Sequence, residues 1–130
     1  MSIYIDADAF ARWEKGEFDL LAWIEENAPD TPIGFPATVW QQVVFGAFAW
    51  QPERAAKRMR SLLILGDLPV VPFSGGHALR AAKLAAELKL QSIGFADFQI
   101  AATALEDGAE LLTFNVEHFS RVPGLKLAKV

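Results

Sequence analysis

The sequence contains no cysteine. This absence excludes disulfide frameworks, thiol nucleophiles and zinc or iron–sulfur sites with cysteine ligands, and it is compatible with a reducing cytoplasm. Only two histidines are present, His77 and His118, and they lie far apart in the sequence. A Ser-His-Asp triad built on either one would depend on a chance meeting in the fold.

A basic excess, a targeting segment and a long apolar run are also missing. The chain has 12 Lys and Arg against 16 Asp and Glu, a net charge of −4. This balance disfavours strong unaided affinity for nucleic acid, although it allows a local basic patch. No basic segment followed by an apolar core opens the chain, so we expect no secretion signal. The most apolar stretch, residues 38–50, contains Gln41 and Gln42 and is too short to cross a bilayer. We therefore expect a cytoplasmic protein.

The composition and the pattern of short apolar runs predict one compact α/β domain over residues 1–130, because 52% of the residues are hydrophobic and 22% are charged. Strands separated by helices imply a mainly parallel sheet with helices on both faces. Strands are predicted at 2–5, 33–35, 68–71, 110–113 and 125–128, and helices at 7–15, 18–27, 37–50, 52–65, 75–90, 95–106 and, as a turn or short helix, 115–120.

Two segments place acidic residues where a strand hands over to a helix. Asp6 and Asp8 follow the apolar run at residues 3–5, and Asp97 opens an apolar helix. Carboxylates in these positions project into the crevice where α/β folds bind ligands, and hard divalent cations seek such oxygen ligands.

Each of these acids also has an ordinary structural explanation. Asp97 can favour the positive end of its helix, worth about 0.3–1 kcal/mol, and Asp6 can cap the helix that follows it. Against this, Asp97 shares a helix face with core residues such as Ile100 and Ala104. A charge at the edge of that face costs free energy unless a cation or hydrogen-bond donors compensate it.

The chain resembles PIN-domain ribonucleases, and in particular the VapC toxins of bacterial toxin–antitoxin pairs. The matching segments are IYIDADAF at 3–10 and IGFADFQIAATALEDGAELLTFNVEHFSRVPGL at 93–125, with FPATVWQQVVFGAF at 35–48 as a weaker match. The resemblance implies a three-layer α/β/α sandwich around a parallel sheet. It also implies a ring of acidic residues that holds Mg2+ or Mn2+ and activates water to cut single-stranded RNA, together with a small antitoxin partner and a homodimer.

Individual positions carry the resemblance. Asp6 matches the first acid of the family, and Asp97 matches the acid at the start of the helix before the fourth strand, so these two are the implied metal ligands. Asn115 matches a position that is Asp or Asn in the family, Thr113 matches the small hydroxyl residue before it, and His118 stands where a further Asp often occurs. The implied catalytic residues are Asp6, Asp97 and Asn115.

The chain departs from the family at its middle acid. Family members usually carry Glu in a pattern like Ala-Glu-Leu-x-x-Gly, whereas residues 41–46 read QQVVFG and put Gln42 in that position. The amide oxygen of Gln42 can coordinate a cation but brings no charge. Asp8 and Glu117 are candidates to supply the missing charge, although each is also readily explained as a solvated acid. A PIN fold that has lost catalysis and serves as a binding module is therefore an alternative.

A second alternative is a small phosphatase, because residues 6–8 after an apolar strand also resemble the nucleophile motif of haloacid dehalogenases. That family needs a late acidic pair after a strand. Here the predicted strand ending at Thr113 is followed by Phe114 and Asn115, so this alternative ranks lower.

Two surfaces are predicted for partners. The basic run Arg54, Lys57 and Arg58 on one predicted helix is usually a solvated face, yet it is the best candidate for contact with RNA phosphates. Segments 7–27 and 38–50 hold more large apolar side chains than one helix face can easily bury. An exposed apolar patch of this kind predicts a homodimer and a groove that accepts an amphipathic antitoxin helix.

Overall fold

A four-stranded parallel sheet forms the centre of the fold. The computed structural model describes residues 1–89 and 93–130. The strands are β1 (Ile3–Ile5), β2 (Ile33–Pro36), β3 (Val70–Val71) and β4 (Glu110–Leu112). Their order in the sheet is β3-β2-β1-β4, and every pairing is parallel. β1 therefore lies inside the sheet, between strands that are distant from each other in sequence.

Helices cover both faces of the sheet, which confirms the predicted three-layer α/β/α sandwich. Parallel connections are right-handed, and the chain reverses its direction along the sheet between β3 and β4, so α1–α4 cover one face and α5–α6 the other. The predicted end of the fifth helix at residue 90 lies outside the described residues. The described helices are α1 (Ala7–Glu14), α2 (Leu20–Asn27), α3 (Ala37–Ala49), α4 (Pro52–Ile64), α5 (Gly75–Leu88), α6 (Phe95–Asp107) and α7 (Val116–Phe119).

Local signals set the helix ends. Asp6 caps α1 by accepting a hydrogen bond from the backbone N–H of Ala7, and Ser74 caps α5. Pro52 occupies the first position of α4, where its missing N–H costs nothing. Gly108 ends α6 with φ +65°, a left-handed conformation that glycine adopts without steric cost.

Two predicted strands are at least two residues shorter in the structure than the sequence indicated. The segment 125–128 forms a single parallel bridge, between Leu111 and Leu127, so the prediction of a fifth strand there was wrong. The pairing is short because, among the described residues, this segment pairs with β4 alone, and β4 has three residues. The strand predicted at 68–71 contracts to β3, partly because Pro69 has no backbone N–H to donate to a ladder.

The core lies against the middle of the sheet. All three residues of β1 are buried, as expected for a parallel strand with helices on both sides. The largest fully buried side chains include Phe10, Phe35, Phe98 and Phe119. This packing fixes where β1 and β4 end, and Asp6 and Thr113 directly follow those ends. Within residues 1–89 and 93–130, no helix combines the length and the apolar character needed to cross a membrane.

Candidate active site

Asp6 leaves the sheet at the end of β1, directly beside Thr113 at the end of β4. The two strands pair in register, with Ile5 opposite Leu112, and the backbone N–H of Asp6 donates to the Leu112 carbonyl at 3.0 Å. Thr113 Oγ1 donates to Asp6 Oδ2 at 2.8 Å, and the Ala7 N–H donates to Asp6 Oδ1 at 2.8 Å. Both oxygens of Asp6 are thus held in place, and the residue is only 6% exposed.

The charge of Asp6 is poorly compensated. Burial raises its pKa, the negative charges of Asp8 and Asp97 raise it further, and the hydrogen bonds from Thr113 and Ala7 lower it, leaving the pKa at about 7. Within the described part of the chain, Asp6 forms no ion pair. A buried carboxylate surrounded by like charges is stabilised when a cation binds beside it.

Asp97 lies in the first turn of α6 and meets the loop that follows β4. Its Oδ2 lies 3.5 Å from His118 Nδ1, and the side-chain nitrogen of Asn115 lies 3.0 Å from the same ring atom. The negative charge of Asp97 raises the pKa of Asp6. Contacts run from Asp6 through Thr113, Asn115 and His118 to Asp97. The structure therefore brings Asp6, Asp97, Asn115 and His118 to one edge of the sheet.

Asp8 holds the loop after β4 against α1. The Phe114 N–H lies 3.2 Å from both oxygens of Asp8, and Thr113 Oγ1 lies 3.3 Å from both. Thr113 Oγ1 in turn accepts a hydrogen bond from the Asn115 N–H at 3.0 Å. Asp8 is therefore half-buried and anchored, which differs from the solvated acid that was its ordinary explanation. Its charge adds to the negative potential at Asp6.

The donor set fits a hard divalent cation that keeps most of its water. Among residues 1–89 and 93–130, no three Asp, Glu, His or Cys side chains stand close enough to enclose a metal ion. Mg2+ usually binds through one or two carboxylates and retains several waters, and Mn2+ also prefers oxygen ligands. Asp6 and Asp97 can supply those carboxylates, and the uncompensated burial of Asp6 is the observation that favours a cation there.

Gln42 is exposed on α3 and lines a groove of about 440 Å3 beside the start of α6. Because Ala96 lines the same groove and precedes Asp97, the groove opens next to the acidic crevice. Sequence reasoning missed other parts of this groove. Two sequence signals could have indicated these parts. Thr38 and Gln42 are four residues apart and so share one face of the helix, and Gln99 is close to Asp97 in the chain. The groove is lined by Thr38, Gln41, Gln42, Phe45, Ala96 and Gln99.

Glu117 does not join the crevice. Its side chain is 84% exposed, and its carboxylate lies 3.6 Å from the guanidinium of Arg121. The single turn of α7 directs His118 toward Asp97 and leaves the preceding residue facing solvent. The prediction that Glu117 supplies the missing charge was therefore wrong.

Arg58 is a buried structural residue, so its predicted contact with RNA was also wrong. Its Nε and Nη2 donate to the carboxylate of Glu14 at 2.8 and 3.0 Å, and its Nη1 donates to the Val43 carbonyl at 2.7 Å. Burial raises the pKa of Glu14, but hydrogen bonds from Arg58 and Ser61 outweigh it, and the net shift is downward. The amphipathic face of α4 turns position 58 inward, toward α1 and α3.

The other two members of the basic run remain on the surface. Arg54 is exposed, and its guanidinium carbon lies 4.0 Å from the centre of the Trp50 ring. Lys57 is exposed as well. These two residues remain predictions for phosphate contact.

His77 belongs to a hydrogen-bonded network at the other end of α6. Its Nε2 lies 2.9 Å from Asp107 Oδ1, its Nδ1 lies 2.9 Å from Ser74 Oγ, and Tyr4 donates to Asp107 Oδ2 at 2.6 Å. The grouping has the composition of a Ser-His-Asp triad. However, the backbone N–H of Ser74 donates to His77 Nδ1 at 2.9 Å and occupies the lone pair that a general base needs. The network therefore joins α5, α6 and β1 structurally.

The chain is similar to known proteins over nearly its whole length. Residues 3–125 match the family model described as PIN domain. The chain is 38% identical to ribonuclease VapC1 of Rickettsia felis over 137 aligned positions, covering 100% of this chain and 97% of that protein.

Solved structures share the fold. VapBC2 from Rickettsia felis, bound to a DNA fragment from its promoter, aligns with a TM-score of 0.86 and 22% identity over 98% of each chain. VapBC-1 from nontypeable Haemophilus influenzae aligns with a TM-score of 0.84 and 25% identity, covering 99% of this chain and 98% of that one. These alignments agree with the parallel sheet and its covering helices.

Proposed function

This chain belongs to the PIN-domain family, and on that basis we propose that it is a metal-dependent endoribonuclease that acts as the toxin of a toxin–antitoxin pair. The observation that carries the proposal is the buried carboxylate of Asp6, which lies beside Thr113 and within the electrostatic reach of Asp97 without an ion-pair partner among the described residues. The 38% identical relative is named a ribonuclease, which supports the same activity. We place that activity in the cytoplasm.

Each site residue has a role that follows from its contacts. The chemistry supplied by a bound Mg2+ or Mn2+ would be a lower pKa of a water molecule on the ion and polarisation of the RNA phosphate. Asp6 and Asp97 would hold the ion, and the hydrogen bonds from Thr113 and Ala7 hold the Asp6 carboxylate in one orientation. Asn115 and His118 border Asp97, where they can orient it and contact the phosphate.

An antitoxin helix is the partner we propose for an apolar groove between α3 and α4. The groove has a volume of about 560 Å3, and Phe48 and Leu63 beside it are 84% and 78% exposed. Solved relatives are VapBC pairs, which supports a partner of this kind. An amphipathic helix can bury such a surface and place an Arg or Lys near the acidic crevice. The groove is lined by Trp40, Val44, Phe48, Met59, Leu62, Leu63, Gly66 and Asp67.

The apolar surface is narrower than the sequence indicated. In segment 7–27, Trp13 and Trp23 are half-buried against the core, so this segment contributes little to the patch. Two further apolar side chains, Leu79 on α5 and Phe95 on α6, are 62% and 69% exposed. We propose that exposed apolar side chains of α5 and α6 contribute to a homodimer.

Manganese titration by calorimetry tests the metal site. We expect wild-type protein to bind Mn2+ and to cleave RNA in its presence, and Asp6→Asn or Asp97→Asn to abolish both. Asp30→Asn, which changes an exposed turn, is the matched control and should behave like wild type. Circular dichroism establishes that each variant is folded. Mn2+ binding that survives both site substitutions would refute the proposed ligands.

Co-expression with the neighbouring gene product tests the partner. We expect a stable complex, a growth defect when the chain is expressed alone, and loss of the complex in Leu63→Asp. Recovery of a lone monomer that has no effect on growth would refute the toxin assignment and leave the family assignment standing.

A catalytically weakened PIN fold that serves as a binding module is the second candidate. Gln42 favours it, because the groove beside Asp97 has an amide where the family usually carries a carboxylate. Mn2+ binding without RNA cleavage would support this candidate over the nuclease. The phosphatase alternative receives no support from the family match, which spans residues 3–125.

A further inference from the structure

Uncharged polar side chains form most of the lining of the groove between α3 and α6. All six lining residues are uncharged, and three of them are glutamines. Phe45 presents its ring to solvent at the same place, where it is 62% exposed. A groove of about 440 Å3 therefore offers amide donors and acceptors beside an exposed aromatic face.

We propose that this groove binds an unpaired nucleobase of the RNA substrate. Phe45 stacks on the base, and Gln41 and Gln99 hydrogen-bond to its edge. This inference rests on the proposed ribonuclease function and adds a subsite to it: the groove holds one unpaired base of the substrate beside the site of cleavage.

The chemistry of the lining suits a base better than a phosphate. Base edges present donors and acceptors side by side, and an amide group matches both. Unpaired bases stack on aromatic side chains, whereas paired bases are not free to do so. Phosphate sites usually carry Arg or Lys, and among residues 1–89 and 93–130 no charged side chain lines this groove.

One of the amides is already oriented. Thr38 Oγ1 donates to Gln99 Oε1 at 3.1 Å, which leaves the Gln99 amino group free to donate to a ligand. An amide that is held in place before binding loses less conformational entropy when the ligand arrives.

The position of the groove favours the substrate over other occupants. Ala96 lines it and Asp97 follows directly, so the sugar–phosphate attached to a bound base lies next to the acidic crevice. The groove between α3 and α4 is more apolar than this one, so it suits a protein helix better. The buried position of Arg58 removes one of the three predicted phosphate contacts on α4 and leaves Arg54 and Lys57. Base contacts add to the affinity that these two residues supply.

Fluorescence anisotropy with the full-length chain tests the inference. The probes are four labelled RNA homopolymers of about ten nucleotides, a length within the site sizes of single-strand binders. An abasic ribose–phosphate strand of the same length is the reference. EDTA is present throughout, so metal-dependent cleavage cannot contribute. We expect at least one homopolymer to bind about tenfold more tightly than the abasic strand.

Matched variants assign the binding to the groove. Phe45→Ala and Gln99→Ala should each weaken binding of the preferred homopolymer about tenfold and leave binding of the abasic strand unchanged. Ile64→Ala, which removes a 63% exposed apolar side chain on α4 outside both grooves, and Gln51→Ala, an exposed amide without a side-chain cap bond, are the controls and should bind like wild type. Thermal unfolding establishes that each variant is folded.

Three results would overturn the inference. The first is equal binding of base-bearing and abasic strands. The second is an equal loss of affinity in Phe45→Ala and Ile64→Ala. The third is a change of oligomeric mass in Phe45→Ala with unchanged RNA affinity, which would assign the groove to a second copy of the chain. Cleavage in Mg2+ is assayed separately: base-dependent binding without cleavage supports this inference while refuting the catalytic proposal.

Discussion

Arg58→Met should strongly destabilise the protein. The guanidinium of Arg58 is buried, with its side chain 6% exposed, and it makes three hydrogen bonds, two to Glu14 and one to the Val43 carbonyl. Removing one partner of a buried ion pair costs about 3–5 kcal/mol, because the other charge is left uncompensated. Since a domain is typically stable by about 5–15 kcal/mol, this loss is a large fraction of the total.

Urea unfolding at pH 7 measures the effect. Arg54→Met is the matched control, because that residue is exposed and stacks on Trp50, a contact worth about 0.5–1 kcal/mol. The double variant Glu14→Leu/Arg58→Met should recover much of the loss, because no buried charge remains unpaired. Equal losses in Arg58→Met and Arg54→Met would refute the reasoning.

The same pair predicts a pH dependence with a definite sign. The folded-state pKa of Glu14 is lowered, so its stabilising contribution is fully present above its unfolded pKa of about 4.3 and is lost as the pH falls through the folded value. Arg58→Met should remove this part of the acid destabilisation. An unchanged slope of stability against pH below neutrality would contradict the assignment.

Three further predictions concern other contacts. Gln42→Glu should tighten Mn2+ binding and raise RNA cleavage, because it adds a negative charge beside Asp97; unchanged affinity and rate would mean that Gln42 lies outside the site. In EDTA, Asp6→Asn should raise the free energy of unfolding by about 1–2 kcal/mol, because a buried charge beside other acids is removed, and urea unfolding without such a gain would contradict that account. Tyr4→Phe should cost about 1–3 kcal/mol in the same assay, because Asp107 loses a hydrogen bond; a cost near zero would show that water replaces the hydroxyl.

Element order and site position could be predicted because their signals are local. The apolar run that ends at Asp6, the helix start at Asp97 and the turn at Gly108 each depend on neighbours in sequence. Once the sheet is parallel, the ends of β1 and β4 must meet at one edge. Asp6 and Asp97 could therefore be assigned to one crevice from local signals, whereas Asn115 was assigned through the resemblance to PIN-domain ribonucleases.

The orientation of individual side chains could not be predicted in the same way. Arg58 and Lys57 are adjacent, yet one is buried and the other exposed, because the direction of position 58 depends on Glu14, which lies 44 residues away in sequence. Glu117 was similarly ambiguous, because a one-turn helix gives no periodicity. Asp8 pairs with backbone groups over a hundred residues away, a contact with no local signal.

The pairing of β1 with β4 also affects when the site can exist. The hydrogen bond between Thr113 and Asp6 spans 107 residues, whereas the elements between them are joined by much shorter connections. Contacts of such large sequence separation close late, after their loop-closure entropy has been offset elsewhere. A nascent chain therefore lacks the assembled crevice until its β4 segment has left the ribosome. For the proposed nuclease, this order delays the appearance of activity until the β4 segment has been synthesised.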